Sequence, residues 1–92
     1  MRFEWDDAKR DLNLAKHGIA FDRAVELFDG RPIYEQPSEF SFEERWLTTG
    51  LLDDVLVTAV WTRRDDAVRL ISVRRARDGE KRDYHEHNAG GG

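Results

Sequence analysis

The hydrophobic and polar positions along the chain divide it into helical and extended segments. Near the N-terminus, apolar residues recur at helical spacing, which predicts a helix over residues 7–17. Asp6 stands where an N-cap belongs, and Gly18 stands where a helix commonly ends. A similar spacing predicts a second helix over residues 21–29, although its N-cap position is occupied by Ala20, a residue that caps poorly.

Beyond Gly30 the apolar period falls to two, which is typical of strands. The segments predicted to be extended are residues 32–35, 44–51, 55–62 and 68–75. Tight turns join the last three of them, so antiparallel pairing is expected and parallel crossovers are not. Phe3-Glu4-Trp5 also alternates and suggests a short edge strand, and the segment 78–87 is predicted to be a final helix.

This order of elements predicts an α+β fold. Two N-terminal helices would pack on a mainly antiparallel, four-stranded meander sheet, and a C-terminal helix would follow it. One domain is expected over residues 1–87, with residues 88–92 as a flexible, glycine-rich tail. Residues 36–41 are predicted to form a loop.

The first helix carries two stripes at helical spacing. An apolar stripe is expected to face the core; it consists of Trp5, Ala8, Leu12 and Ala15. Beside it runs a stripe of basic and amide character, which consists of Lys9, Asn13, Lys16 and His17. This basic stripe is either ordinary solvated surface or a surface for a polyanion.

Composition and charge restrict the classes of function. The net charge is −4, but residues 62–82 hold eight basic and four acidic side chains, whereas the rest of the chain holds seven basic and fifteen acidic ones. A local basic patch on an acidic protein can bind phosphates, because charge effects are screened beyond about 10 Å. The acidic remainder is either solubilising surface or a surface for a basic partner. With no cysteine, no signal segment and no apolar run long enough to span a bilayer, a cytoplasmic protein without membrane contact is expected.

The last predicted strand has arginines at both ends. Arginine offers a planar fork that matches phosphate oxygens, although the segment also fits a core strand with solvated ends. Strict alternation would point Arg69 and Arg75 to one face and Ser72 and Arg74 to the other, unless a bulge intervenes. We favour the face of Ser72 and Arg74 for a site, with the Arg74 guanidinium at its surface.

Two blocks of residues resemble the BrnT family of ribonuclease toxins from bacterial type II toxin–antitoxin pairs. The blocks are Phe3-x-Trp5-Asp6-x-x-Lys9-x-x-x-Asn13-x-x-Lys16-His17-Gly18-Ile19-x-Phe21 and Arg69-x-Ile71-Ser72-x-Arg74-Arg75-Ala76, with Glu80 and Tyr84 following. The resemblance implies a RelE-like fold, metal-independent endonuclease cleavage of RNA with no cofactor, and inhibition of translation and growth. It also implies neutralisation by an antitoxin of the BrnA type, with DNA contacted only indirectly through the antitoxin complex. The alternative is a non-catalytic RelE-like module that binds a protein partner or RNA.

Metal-free RNA cleavage requires cations around the phosphate and groups that transfer protons to and from the ribose oxygens. The candidate catalytic residues are Arg74, Arg69, Ser72, His17 and Tyr84. The candidate RNA-binding residues are Lys9, Lys16, Arg63, Arg64 and Arg75. Asn13 and Glu80 are expected to support them. No metal site is predicted, because the imidazoles of His85 and His87 diverge on a helix.

Overall fold

The computed structural model describes residues 1–39 and 42–89. Its strands are β1 Arg2–Glu4, β2 Ile33–Pro37, β3 Trp46–Leu52, β4 Val55–Arg64 and β5 Ala67–Arg75. Its helices are α1 Asp7–His17, α2 Phe21–Ala24 and α3 Asp78–Ala89, and a 3₁₀ segment Val25–Phe28 follows α2 directly. The α+β class is therefore confirmed.

The sheet is mixed and five-stranded, in the order β1-β5-β4-β3-β2. The expected four-stranded meander is present as β2 to β5, all antiparallel. The exclusion of parallel pairing was wrong, because β1 pairs in parallel with β5 and places Phe3 beside Val68. The two strands are about 60 residues apart in the sequence, so no tight turn between them indicates that they pair.

The caps of α1 are those that the sequence predicts. The side chain of Asp6 accepts a hydrogen bond from the Lys9 N–H at 3.1 Å. Gly18 adopts a left-handed conformation, with φ of 72°, and its N–H bonds the Leu14 carbonyl at 2.8 Å. The second predicted helix is only partly α-helical: no side chain caps it at Ala20, and after Ala24 it tightens into the 3₁₀ segment.

The hydrophobic core lies between one face of the sheet and the segment that contains α2. Phe21, Ala24 and Leu27 are fully buried there. Their sheet partners in the core are Leu52, Val57, Ala59, Trp61, Val68, Leu70 and Val73. The opposite face of the sheet packs α3 over β2 and β3.

The expectation that the apolar stripe of α1 faces the core was wrong. Leu12 is 70% exposed, and Ala8 and Ala15 are also exposed. Trp5 alone of the apolar stripe packs toward the core, where its ring meets that of Phe21 edge-on at 6.1 Å. The buried residue of α1 is Asn13, because this helix docks on the sheet through hydrogen bonds.

The C-terminal helix extends further than the sequence indicates. Asn88 and Ala89 continue α3, and the Asn88 amide donates to the Tyr84 carbonyl at 2.9 Å. Residues 88 and 89 of the expected tail are therefore helical, and residues 90–92 lie outside the described part of the chain. Of the expected loop 36–41, residues 36 and 37 belong to β2, and residues 40 and 41 are not described.

Candidate functional site

Asn13 fixes α1 to the edge of β5 beyond the end of β1. Its amide donates to the Val73 carbonyl at 2.8 Å and to the Ile19 carbonyl at 3.0 Å. Its carbonyl oxygen accepts from the Val73 N–H and from the Ser72 hydroxyl, both at 3.1 Å. The side chain thus satisfies both backbone groups of Val73, as a residue of a neighbouring strand would. It also brings the N-terminal block of residues onto the C-terminal one.

A bulge in β5 changes which arginines share a face. Leu70 lies opposite Trp61 and Ser72 lies opposite Val60, which leaves Ile71 as the extra residue. The partners of Arg69, Ser72 and Arg74 on β4 are therefore Thr62, Val60 and Thr58, which alternate regularly and point to one face. The separation of Arg69 from Arg74 that strict alternation implies does not occur.

Arg74 is engaged in a buried ion pair. Its guanidinium donates to both carboxylate oxygens of Glu80, at 2.7 and 2.9 Å, and the two side chains are only 16% and 9% exposed. Glu80 also accepts from the Thr58 hydroxyl at 3.0 Å, which in turn lies 2.8 Å from the Thr49 hydroxyl. The expectation of a guanidinium at the surface was wrong.

Glu80 also stabilises the start of α3. It accepts from the N–H of Arg77 at 2.8 Å, as the glutamate of a capping box does, and this offsets the weak helix start at Asp78 and Gly79. Burial by itself would raise the pKa of Glu80. The hydrogen bonds from Arg74, Arg77 and Thr58 outweigh it and lower that pKa to about 2.

A cleft of about 220 Å³ lies between α1 and β5, and all four residues of the basic stripe line it. It is lined by Lys9, Leu12, Asn13, Lys16, His17, Ile71 and Ser72, and we call it the α1–β5 cleft. Within the described part of the chain, neither Lys9 nor Lys16 is in an ion pair. The cleft therefore presents cations that are free to meet an anion beside a histidine and a serine hydroxyl.

Several other predicted site residues do not line the α1–β5 cleft. Arg69 is directed to Glu4, with a nitrogen–oxygen distance of 3.8 Å. Tyr84 is a buried residue of α3, with 7% of its surface exposed. Arg63 and Arg64 are exposed at the end of β4, and neither lines the α1–β5 cleft.

Arg75 borders two further clefts. The middle cleft, of about 350 Å³, is lined by His17, Gly18, Ile19, Ala20, Arg23, Leu52, Asp53, Val55, Val57 and Arg75. The α3–hairpin cleft, of about 360 Å³, is lined by Leu51, Asp54, Val55, Leu56, Arg75, Lys81 and His85. Lys81 and His85 were not among the predicted site residues. Their spacing of four on a predicted helix is the signal that could have found them.

In residues 1–39 and 42–89, no group of three or more histidine, aspartate and glutamate side chains is arranged to hold a metal ion. His85 and His87 diverge as expected, since His85 lines the α3–hairpin cleft while the ring of His87 packs against Tyr34 at 5.4 Å. No helix in these residues is long and apolar enough to cross a membrane.

Comparison with known proteins identifies one family. The model of the family described as ribonuclease toxin, BrnT, of type II toxin-antitoxin system matches residues 5–80. That range covers α1, all of β2 to β5 and the start of α3. No curated protein matches the chain significantly.

Proposed function

The chain belongs to the BrnT family of ribonuclease toxins from type II toxin–antitoxin systems, and from that premise we propose that it cuts RNA without a metal ion in the α1–β5 cleft. RNA is thus the substrate and an antitoxin is the partner. The proposal concerns the position of the site and the residues that act in it.

The observation that carries the proposal is the meeting of two distant segments at one cleft. Lys9, Lys16 and His17 come from α1, and Ser72 comes from β5. The hydrogen bonds of Asn13 hold the two segments together, including the bond from Ser72. Attachment of α1 to β5 explains why Asn13 is present. It does not explain why Lys9 and Lys16, without ion-pair partners, line the same cleft as His17.

The proposed reaction is attack of a ribose 2′-hydroxyl on the adjacent phosphorus. The P–O2′ bond forms and the P–O5′ bond breaks, which leaves a 2′,3′-cyclic phosphate on one product and a 5′-hydroxyl on the other. Lys9 and Lys16 balance the charge on the phosphoryl oxygens. The 2′-hydroxyl loses its proton as it attacks, and the departing O5′ gains one. His17 transfers a proton in this exchange, a role that suits histidine near neutral pH. Ser72 acts as a positioning residue, because its hydroxyl donates to Asn13 and holds α1 against β5.

The arginines of β5 take different parts in this proposal. Arg74 is a positioning residue, since its contact with Glu80 ties the end of β5 to α3. Arg69 contributes positive charge on the same face of the sheet, and Arg75 contacts the RNA where it leaves the cleft. Tyr84 supports α3 from its buried position, and we assign it no contact with the substrate.

Neutralisation by a BrnA-type antitoxin is part of the same proposal. Leu12, exposed at the rim of the α1–β5 cleft, gives a partner an apolar contact from which it can cover the lysines. A specific complex of this kind would bury more than about 1,000 Å² in total. We further propose that the toxin acts in the cytoplasm, where its cleavage of RNA stops translation.

The test compares cleavage rates of purified variants on a synthetic RNA. Lys16→Ala and His17→Ala should each lower kcat/KM by at least tenfold, whereas Arg63→Ala, which removes an exposed cation that does not line the cleft, should change it less than twofold. Circular dichroism would verify that each variant is folded. Equal losses in all three variants would place the active site elsewhere, and RNA binding without cleavage by the wild type would favour the non-catalytic alternative.

A further inference from the structure

We propose that Arg75, Lys81 and His85 form a second phosphate-binding subsite, which holds the RNA backbone next to the segment being cut. The proposal rests on the ribonuclease function proposed above. It assigns a binding role to the α3–hairpin cleft and to two residues of α3, Lys81 and His85.

The first argument is the convergence of basic side chains at this cleft. Lys81 and His85 stand four residues apart on α3, so they present their side chains on the same face of the helix. Arg75 reaches the cleft from the end of β5. Among the described residues, neither Arg75 nor Lys81 is in an ion pair. One carboxylate, that of Asp54, also lines the cleft, and it is outnumbered there.

The second argument is continuity with the proposed site of cleavage. The α1–β5 cleft and the middle cleft share His17, and the middle cleft and the α3–hairpin cleft share Arg75. On β5, Arg75 lies three residues beyond Ser72, a distance of about 10 Å. A strand of RNA bound near Ser72 can therefore continue around the end of the sheet without leaving the surface.

The third argument is the apolar surface that accompanies the cations. Leu51 is 39% exposed, and Val55 and Leu56 are half-buried beside it. Proteins that bind single-stranded nucleic acid combine a basic groove along the backbone with side chains on which the bases pack, aromatic ones above all. Here the packing surface is aliphatic. A ribose or a base can pack on these side chains while Lys81 and Arg75 meet the phosphate. This combination favours RNA over a simple anion as the ligand.

The experiment measures the affinity of two labelled RNA oligonucleotides that carry 2′-O-methyl groups and so cannot be cut. One is a dinucleotide that fills the α1–β5 cleft alone, and the other is an octanucleotide that can reach the second subsite. Lys81→Ala is compared with Arg82→Ala, its matched control. Arg82 is the next residue on α3 and carries the same charge, but it is exposed and lines none of the three clefts.

Lys81→Ala should weaken binding of the octanucleotide by roughly three- to tenfold and leave the dinucleotide unchanged. It should also flatten the dependence of log K on log salt by about 0.7, the value for one lost phosphate contact on a single strand. His85→Ala should weaken octanucleotide binding in the same direction, and Arg82→Ala should not.

Equal effects of Lys81→Ala and Arg82→Ala would overturn the subsite, as would equal losses for the two oligonucleotides. If Lys81→Ala instead weakens only the antitoxin complex, the cleft is a protein-binding surface and the proposal is wrong. Failure of the wild type to bind or cut any RNA would overturn the proposed function itself. This result is distinguishable from failure of the subsite alone, because it is measured on the wild type and not on the variants.

Discussion

Arg74 and Arg75 are neighbours in the sequence with opposite surroundings. Arg74 is buried against Glu80, whereas Arg75 is exposed and borders two clefts. Strict alternation places these two arginines on opposite faces of β5, as the structure does. It separates Arg69 from Arg74 wrongly, because the bulge at Ile71 reverses the alternation after Leu70. The surface position predicted for Arg74 was wrong for a different reason: its partner Glu80 lies on another element.

Replacing Arg74 tests the buried ion pair. Arg74→Ala should lower the free energy of unfolding by about 3–5 kcal/mol, because it leaves the Glu80 carboxylate buried without its counter-ion. Arg75→Ala should change that free energy by less than about 0.5 kcal/mol. Urea denaturation measures both. Similar stabilities of the two variants would show that the ion pair is not formed in solution.

The pKa of Glu80 gives the ion pair a signature in pH. This carboxyl titrates near 4.5 in the unfolded chain and at about 2 in the folded protein. A depressed folded-state pKa means that the stabilisation, on the order of 3 kcal/mol, is fully present above about pH 4.5 and is lost as the pH falls toward 2. In Glu80→Gln, which cannot ionise, the free energy of unfolding should depend less on pH in this window. An identical pH dependence in wild type and variant would contradict the assignment.

The bounds of the elements were largely predictable, and their packing was less so. Asp6 and Gly18 fixed α1, and the turns at Asp53-Asp54 and Asp65-Asp66 fixed the hairpins. The orientation of α1 was not predictable from hydrophobicity, because its buried residue is an amide. A rule that ranks residues by apolar character puts Leu12 inside and Asn13 outside. The reverse occurs because Asn13 supplies hydrogen bonds to both backbone groups of Val73.

The orientation of α1 can be tested with two adjacent variants. Asn13→Ala should lower the free energy of unfolding by roughly 2–4 kcal/mol, because it leaves the N–H and C=O of Val73 without partners. Hydrogen exchange at the Val73 amide should accelerate accordingly. Leu12→Ala, at a side chain that is largely exposed, should cost less than about 1 kcal/mol. A larger loss for Leu12→Ala than for Asn13→Ala would restore the orientation expected from the apolar stripe.

In the complete fold, the N-terminal and C-terminal blocks that resemble the family lie in contact with each other. The parallel pairing of β1 with β5 and the bonds of Asn13 bring residues 2–17 against residues 67–75. The resemblance identified both blocks as characteristic of the family, but it did not predict which residues of one block contact the other. Such contacts depend on pairing between distant parts of the chain, which local periodicity does not record.

Expression of the chain in bacteria tests the toxin function in cells. Expression alone should stop growth, and co-expression of the protein encoded next to it should restore growth, because the family acts in toxin–antitoxin pairs. His17→Ala should permit growth at the same level of soluble protein. Normal growth with soluble wild-type protein and no partner would count against a toxin.

The central claim is that the protein cuts RNA through the ribose 2′-hydroxyl and without a metal ion. The most direct measurement incubates purified wild-type protein with a labelled synthetic RNA in excess EDTA and identifies the new ends by mass spectrometry. We predict cleavage with 2′,3′-cyclic phosphate and 5′-hydroxyl ends, and no cleavage where a single 2′-deoxynucleotide precedes the cut. Activity that disappears in EDTA, or products with 5′-phosphate ends, would contradict it.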